Sequence, residues 1–259
     1  MVPLTKARVK MPSIPSALER RVDIDHGARP PRARHPLAIV DGIVRPELIA
    51  KRMVEADALA MHQDQGVIPL PDILWHLDIA GVTPLITGGH AIGAWAGRPR
   101  AADHTSLVIP AAKREHCETA LRAAYPHFTV TYSNGDKDVT WFSDMAEPKR
   151  PLDRIEIIQG RMPVHRIALA TCITVPAFGR FIRIPSAEAL VLAKVVSAVS
   201  SHSPYTARMQ DRADLAKLIG ACTWLREDAI LIMARSVSSD LEHVVREVFH
   251  ELRTATPNL

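Results

Sequence analysis

A change in hydrophobic spacing near residue 184 constrains the fold most strongly. Before it, short β-rich segments such as "TPLITGG" and "HTSLVIP" alternate with stretches of helical spacing such as "RPELIAKRMVEADALAMHQ". From Ser186 onward, the spacing is helical throughout. The predicted helices there are 187–200, 204–219, 223–234 and 238–253. Mixed elements followed by helices are typical of an α+β fold. We therefore predict a mixed sheet flanked by helices, with a core at 37–184 and a helical C-terminal subdomain at 185–259.

Several element boundaries follow from capping and turn chemistry. Pro46 suits the first turn of a helix, and Ser186 suits the N-cap of the first C-terminal helix. Asn134-Gly135 predicts a tight hairpin turn between two strands. Further strand candidates are "RIEIIQG" and "HRIALATCITV". Residues predicted to face inward from the helix over 111–126 are Ala112, His116, Ala120 and Leu121.

The positive charge is concentrated at the N-terminus. Residues 1–35 hold eight Lys/Arg against three Asp/Glu, whereas the remainder holds 24 against 25. Prolines recur over residues 1–36, so we predict a flexible basic tail there. Such a tail could contact nucleic acid or an acidic partner through its charge. A solvated leader is the alternative, and an aromatic content of 5% argues against a stacking surface for nucleic acid.

Hydropathy and cysteine usage indicate a soluble protein. No apolar stretch reaches the ~18 residues of a membrane-spanning helix, so no membrane partner is expected. The three cysteines are widely spaced and form no CxxC pair. They are interpreted as reduced, buried thiols of a cytoplasmic protein rather than as a metal site.

The segment over 85–110 carries features that phosphate chemistry needs. Gly88 and Gly89 lie between a predicted strand and a predicted helix, where the backbone can approach a phosphate and the helix N-terminus favours an anion. Arg98 and Arg100 precede the next strand and could meet phosphate oxygens. A plain Gly-Gly turn and solvated arginines are the alternative interpretation.

Two blocks of sequence resemble the nucleotidyltransferase superfamily with the DNA polymerase β-like fold. "GVTPLITGGHAIGAWAGRPRAADHTSLVI" resembles its opening motif: a strand, Gly-Gly or Gly-Ser, a helix, and a strand bearing Asp-x-Asp. "IPSAEALVLAKVVSAVSSHSPYTARMQDRADLAKL" is similar to its later signature, matching at Ser186, Glu188, Leu190, Lys194, Arg208, Asp211, Asp214 and Leu215. The blocks lie within residues 73–219, and the bacterial group of AbiEii-type toxins and minimal nucleotidyltransferases is the most similar.

The resemblance implies transfer of a nucleoside monophosphate from a nucleoside triphosphate to a hydroxyl, with Mg²⁺ as cofactor. Implied partners are the nucleotide, an RNA or protein acceptor, and an antitoxin protein. Glu156 matches the third metal-binding acid, and Lys194 is implied as a catalytic residue that meets a phosphate. The residues implied in nucleotide binding are Gly88, Gly89, Arg100, Arg208 and Asp211. Without the resemblance, Arg208 and Asp211 would be read as part of a solvated amphipathic helix.

The sequence departs from the family's pattern at the two acids of the Asp-x-Asp motif. His104 and Ser106 stand where the Asp-x-Asp motif is expected, and both are poor Mg²⁺ ligands. Asp103 lies one residue early, and strand alternation turns it to the opposite face unless a bulge shifts the register. Asp103 and Glu156 are therefore the remaining candidates for catalysis and metal binding.

Two alternatives follow from these departures. The first is a catalytically degenerate protein that keeps the fold and acts as a nucleotide-binding, regulatory or interaction module. The second is a zinc site, but its candidate ligands share no ligand spacing. Those candidates are His90, His104, His116 and His165.

Overall fold

The computed structural model describes residues 39–40, 43–63, 68–97, 104–133, 138–144, 152–200 and 205–255. Its helices are α1 (Pro46–Gln63), α2 (Leu70–Ile79), α3 (Gly88–Ala96), α4 (Arg114–Ala124), α5 (Pro163–Ala170), α6 (Ala187–Val199), α7 (Tyr205–Ala221), α8 (Glu227–Val237) and α9 (Ser239–Ala255). Its strands are β1 (Ile39–Val40), β2 (Ile43–Val44), β3 (Leu85–Ile86), β4 (Thr105–Ile109), β5 (Phe128–Tyr132), β6 (Val139–Asp144), β7 (Leu152–Gln159), β8 (Ile173–Ala177) and β9 (Arg180–Ile184).

Within this described part of the chain, seven strands form one mixed sheet in the order β5-β6-β7-β4-β3-β9-β8. Strand β4 runs parallel to β7 and antiparallel to β3, and β3 runs parallel to β9. Every residue of β4 is buried, as expected for a strand at the middle of a sheet. The predicted α+β architecture, with a mixed sheet flanked by helices and a helical C-terminal half, is confirmed.

Helix α6 connects the sheet to the C-terminal helices. Its N-cap is Ser186, whose hydroxyl accepts a hydrogen bond from the Ala189 amide at 3.2 Å, as predicted. Most residues of α6 are buried, and α5, α7 and α8 all pack against it. The subdomain boundary at 184/185 stays a prediction, because shared packing does not define where one unit ends.

Two predictions of local structure are wrong. The segment "HRIALATCITV" is not one strand: α5 occupies its first half, and β8 begins at Ile173. Pro163 opens α5, and the helical spacing of Val164, Ile167 and Ala168 buries one face of this short helix. Strand β9, which follows at once, was not predicted.

Ala112, in the turn before α4, and His116, in α4, are exposed although the helical spacing predicts that they face inward. A 3-10 turn at Ala111–Lys113 precedes α4, so the helical phase starts at Arg114. The buried residues of α4 are accordingly Cys117 and Leu121, one helical turn apart.

The two faces of the sheet differ at the β5–β7 end. Thr140 and Tyr132 are register partners, and both hydroxyls donate to the carboxylate of Glu118 on α4, at 2.8 and 3.2 Å. Helix α4 therefore covers this face. Trp141 follows Thr140 in β6, so its side chain points to the other face of the sheet.

Other predictions lie partly outside the described residues. The basic tail over 1–36 and the turn at Asn134-Gly135 fall there, although the antiparallel pairing of β5 with β6 is described. All three cysteines are free; Cys117 and Cys222 are buried, and Cys172 is partly exposed. Among the described helices, none combines the length and apolarity that crossing a membrane would require.

Candidate functional site

The start of α3 lies directly against β4. Gly88, the first residue of α3, has a φ of +62°, in the left-handed region that favours glycine. A Cβ atom at Gly88 would lie 2.8 Å from the Ser106 Oγ, so any other residue would force one of the two to shift. The Thr87 amide also donates to the Ser106 carbonyl oxygen at 2.9 Å. The strand–Gly-Gly–helix prediction is thus realised, with Ser106 below the turn.

The register of β4 and β7 places Ser106 opposite Glu156. Register partners point to the same face of a sheet, so the side chains of Ser106 and Glu156 lie on the face that the start of α3 covers. His104, immediately before β4, lies with its Nε2 3.7 Å from Glu156 Oε2. Residues from three separate parts of the sequence, Gly88, His104/Ser106 and Glu156, therefore converge.

An aromatic residue that was not predicted completes this group. Trp141 on β6 is the register partner of Glu156, and its ring meets the His104 ring edge-on with centroids 5.2 Å apart. Alternation in "VTWFSD" already separates Trp141 from Phe142, but only the pairing of β6 with β7 brings the indole to Glu156. We call Gly88, His104, Ser106, Trp141 and Glu156 the β4–β7 site.

Exposure increases across the β4–β7 site. Ser106 is buried, the Glu156 side chain is 17% exposed, and the His104 side chain is 35% exposed. A ligand can therefore reach Glu156 and His104 from solvent. The carboxylate can accept a hydrogen bond or a proton, and the imidazole can donate or accept one.

Two arginines and one aspartate that the sequence predicts as site residues are not among the residues that the structure describes. Arg98, Arg100 and Asp103 lie outside the described residues. The roles of Arg100 in nucleotide binding and of Asp103 in catalysis and metal binding stay predictions.

Lys194 lies in a buried polar cluster between α6 and α7. Its Nζ contacts the carboxylate of Asp211 and lies 3.2 Å from Asp214 Oδ2. Ser197 Oγ donates to Asp211 Oδ2 at 2.5 Å, and Gln210 Nε2 donates to Asp214 Oδ1 at 3.1 Å. The one ammonium thus offsets two carboxylates, and these contacts join the two helices.

The solvated-helix interpretation of α7 is wrong for its acids. Asp211 and Asp214 are buried, at 7% and 0% exposure, whereas Arg208 is half-buried with its guanidinium 6.0 Å from the Tyr205 ring centroid. The described contacts of Lys194 and Asp211 lie within the α6–α7 cluster. Their implied roles toward a nucleotide stay predictions.

The four histidines considered as zinc ligands have separate surroundings. His90 lies 3.6 Å from Asp57 in the core, whereas His116 lines a cavity of about 600 Å³ between α2 and α4. Burial lowers the pKa of His165, so its imidazole is neutral at pH 7. Within the described ranges, no three His, Cys, Asp or Glu side chains are grouped to hold a metal ion.

Comparisons with known proteins give only distant likenesses. No protein-family model matches the sequence, and no curated protein matches it. An antigenic nucleotidyltransferase-like protein from Paracoccidioides brasiliensis is similar with a TM-score of 0.44 and 17% identity, over 83% of this chain and 91% of that chain.

The antibiotic-resistance factor ANT(2'')-Ia in solution is similar with a TM-score of 0.44 and 18% identity, over 77% of this chain and 99% of that chain. ANT(2'')-Ia in complex with adenylyl-2''-tobramycin gives a TM-score of 0.41 and 19% identity, over 69% of this chain and 95% of that chain. These likenesses are weak, so the interpretation of the site depends on the geometry of the chain itself.

Proposed function

We propose that this protein is a nucleotidyltransferase-like protein that binds a nucleoside triphosphate at the β4–β7 site and transfers its nucleoside monophosphate to a hydroxyl acceptor. One observation carries the proposal. Gly88, His104, Ser106 and Glu156, the positions that the sequence motif makes functional, converge through the start of α3 and the β4–β7 register.

The α3 N-terminus supports binding of the triphosphate. Its first-turn amides carry the positive end of the helix dipole, and Gly88 and Gly89 present no side chain that would keep a phosphate away. In the described part of the chain, no side chain caps this turn. Phosphate oxygens can therefore accept hydrogen bonds from these amides.

The side chains available as metal ligands decide whether the Mg²⁺ chemistry of the nucleotidyltransferase superfamily fits this site. Mg²⁺ is bound by hard oxygen ligands, and a two-metal clamp needs several carboxylates on one face. Among the described residues of the β4–β7 site, Glu156 is the one carboxylate, and its neighbours are an imidazole and a hydroxyl. The described residues therefore do not fit a two-metal clamp.

Transfer at this site requires a group that takes a proton. The acceptor oxygen bonds to the α-phosphorus, the bond from that phosphorus to the bridging oxygen breaks, and pyrophosphate leaves. The hydroxyl proton passes to the Glu156 carboxylate, beside which the His104 imidazole lies. Glu156 is thus the proposed catalytic base, and His104 is proposed to position it.

A second candidate is a degenerate protein that binds a nucleotide without turning it over. The specific observation in its favour is the replacement of carboxylates by His104 and Ser106 beside Glu156. Such a protein would act through nucleotide-dependent contact with a partner, and an antitoxin-like protein is the partner class that the resemblance implies.

Transfer from nucleotides labelled at the α-phosphate tests the first candidate. The protein is incubated with each of the four labelled triphosphates, with Mg²⁺ or Mn²⁺ and with EDTA, in the presence of total RNA. Label is expected in RNA or in the protein, and Glu156→Gln is expected to reduce it by about 100-fold. Glu55→Gln, an exposed carboxylate on α1, is the matched control and should retain activity.

The second candidate predicts another pattern. Wild type and Glu156→Gln would both bind a nucleotide without transferring label, and His104→Asp combined with Ser106→Asp would introduce metal-dependent transfer. Absence of nucleotide binding in every variant would contradict both candidates.

A further inference from the structure

A continuous row of side chains crosses one face of the sheet. Thr131 on β5 is the register partner of Trp141, Trp141 is the partner of Glu156, and Glu156 is the partner of Ser106. Register partners share a face, so these four side chains form one line that ends below Gly88. The β4–β7 site therefore continues across β6 to the edge of the sheet at β5.

The two ends of this row have different surroundings. Ser106 is buried under the first turn of α3, whereas Trp141 is half-buried and Thr131 is exposed. Helix α4 does not compete for this face, because Glu118 binds the hydroxyls of Thr140 and Tyr132 on the opposite one. Among the described residues, exposed Thr131 and half-buried Trp141 leave a path by which a ligand can enter from the β5 edge and reach Glu156 along the indole.

The spacing of the row separates two binding positions. Strands lie ~4.8 Å apart, so Trp141 on β6 and Ser106 on β4 are about 10 Å apart across the sheet. Glu156 lies between them. A triphosphate at the α3 N-terminus occupies the Ser106 end, so the Trp141 end is left for the molecule that supplies the hydroxyl.

We infer that Trp141 is the acceptor platform of this site, and that the acceptor carries its hydroxyl on a ring whose face packs against the indole. The inference rests on the proposed function. An indole offers a large, rigid apolar surface at little entropic cost, which suits the face of a sugar or of a nucleoside better than a flexible side chain. The edge-on His104 ring, with centroids 5.2 Å away, fixes the orientation of the indole.

Steady-state transfer kinetics show whether Trp141 packs against the acceptor or against the base of the nucleotide. Adenosine and a methyl glucoside serve as the two ring-bearing acceptors, and ethylene glycol serves as the acceptor without a ring. Trp141→Leu is expected to raise the KM for a ring-bearing acceptor by about tenfold with the Kd for ATP unchanged, whereas Trp141→Phe changes KM by less than about threefold. Trp75→Leu, at a 53% exposed tryptophan on α2, is the control.

Each outcome decides between the interpretations. A weaker Kd for ATP in Trp141→Leu with an unchanged acceptor KM would overturn the inference in favour of nucleobase stacking. Equal use of ethylene glycol and the ring-bearing acceptors would overturn it as well. Which ring gives the lower KM distinguishes a nucleoside from a free sugar.

Fluorescence tests the platform separately from transfer. In a Trp75→Phe background, the remaining partly exposed indole is Trp141, since Trp95 and Trp224 are buried. Adenosine or the glucoside is expected to change the emission without ATP, and Trp141→Phe should abolish the change. No change would overturn the inference, whereas a change in a protein that transfers no label would contradict the proposed function alone.

Discussion

Gly88 lies in a restrictive environment, because its backbone conformation and its neighbour Ser106 both disfavour a side chain. Its φ of +62° disfavours any residue with a Cβ, and the position of that Cβ is 2.8 Å from Ser106 Oγ. The left-handed conformation turns the chain from β3 into α3. It also presents the first helical amides beside β4, where the proposed phosphate binds.

Gly88→Ala is therefore expected to destabilise the protein by more than the cost of placing an alanine in the left-handed region. Gly179 is the matched control, since its φ is +71° and no atom lies within 4 Å of its Cβ position. Gly179→Ala should cost about 1–2 kcal/mol for the left-handed backbone. Gly88→Ala should cost ~1–3 kcal/mol more, because of the Ser106 contact. Urea unfolding of both variants measures the difference.

A double-variant cycle isolates that contact. In Gly88→Ala combined with Ser106→Gly, the Oγ and Cβ that meet the new methyl group are removed, so a coupling energy of ~1 kcal/mol or more is expected. Equal destabilisation by Gly88→Ala and Gly179→Ala would show that Ser106 does not lie against the turn.

How much the sequence predicts depends on the residue. Gly88, Ser106 and Glu156 could be assigned to one site because the motif has a fixed order of elements. Trp141 could not, because its role depends on which strand lies beside β7, and strand pairing is not a local property. The sequence indicates His104 as a replaced acid and as a candidate zinc ligand, but its contacts with Glu156 and Trp141 require the folded sheet.

Helices α6 and α7 are joined by a buried group of charged side chains. Lys194→Met removes the ammonium from two buried carboxylates, and breaking such a group costs about 3–5 kcal/mol. Lys51→Met on α1 is the control, because that lysine is 72% exposed and its pair with Glu55 is worth ~0.5 kcal/mol or less. Denaturant unfolding checks both values, and a loss no larger than that of Lys51→Met would mean that Lys194 is free to serve a ligand.

The contact of α4 with the sheet predicts a dependence of stability on pH. Burial raises the pKa of the Glu118 carboxyl, but hydrogen bonds from Arg114, Thr140 and Tyr132 together lower it by more. The pKa of Glu118 in the folded protein therefore lies below its usual value. The resulting stability is present above the unfolded pKa, ~4.3, and is lost as pH falls through the folded pKa.

Glu118→Gln is accordingly expected to flatten the fall of the unfolding free energy below about pH 5. Urea titrations between pH 3 and 6, which is about the range where carboxylates titrate, measure this slope. Glu55→Gln, at an exposed carboxylate, should leave the slope of the wild type. A slope that is the same in Glu118→Gln and wild type would contradict the assigned network.

Element prediction succeeded where local signals were strong and failed where packing decided. Ser186 and Pro46 mark helix starts through capping chemistry, which is local. The start of α5 depends on Pro163 within an apolar run that also fits a strand, so spacing alone did not separate the helix from β8. The inward face of α4 changed because a 3-10 turn precedes it.

At the scale of the whole molecule, the mixed sheet brings distant parts of the chain to one face. The parallel pairing of β4 with β7 joins the Gly88 turn to Glu156, and the antiparallel pairing of β6 with β7 adds Trp141. Composition and spacing predicted the class of fold, but the strand order that creates this face depends on contacts between remote segments. Helices α6 and α7, which carry the Lys194 cluster, pack against α3 of the core.

Hydrogen–deuterium exchange with and without ATP tests the central claim, that a nucleotide binds at the β4–β7 site. Slower exchange is predicted for the first turn of α3 and for peptides carrying His104 and Glu156, with no change in α8 and α9, which serve as internal controls. Protection confined to the cavity between α2 and α4, or to the C-terminal helices, would contradict the claim.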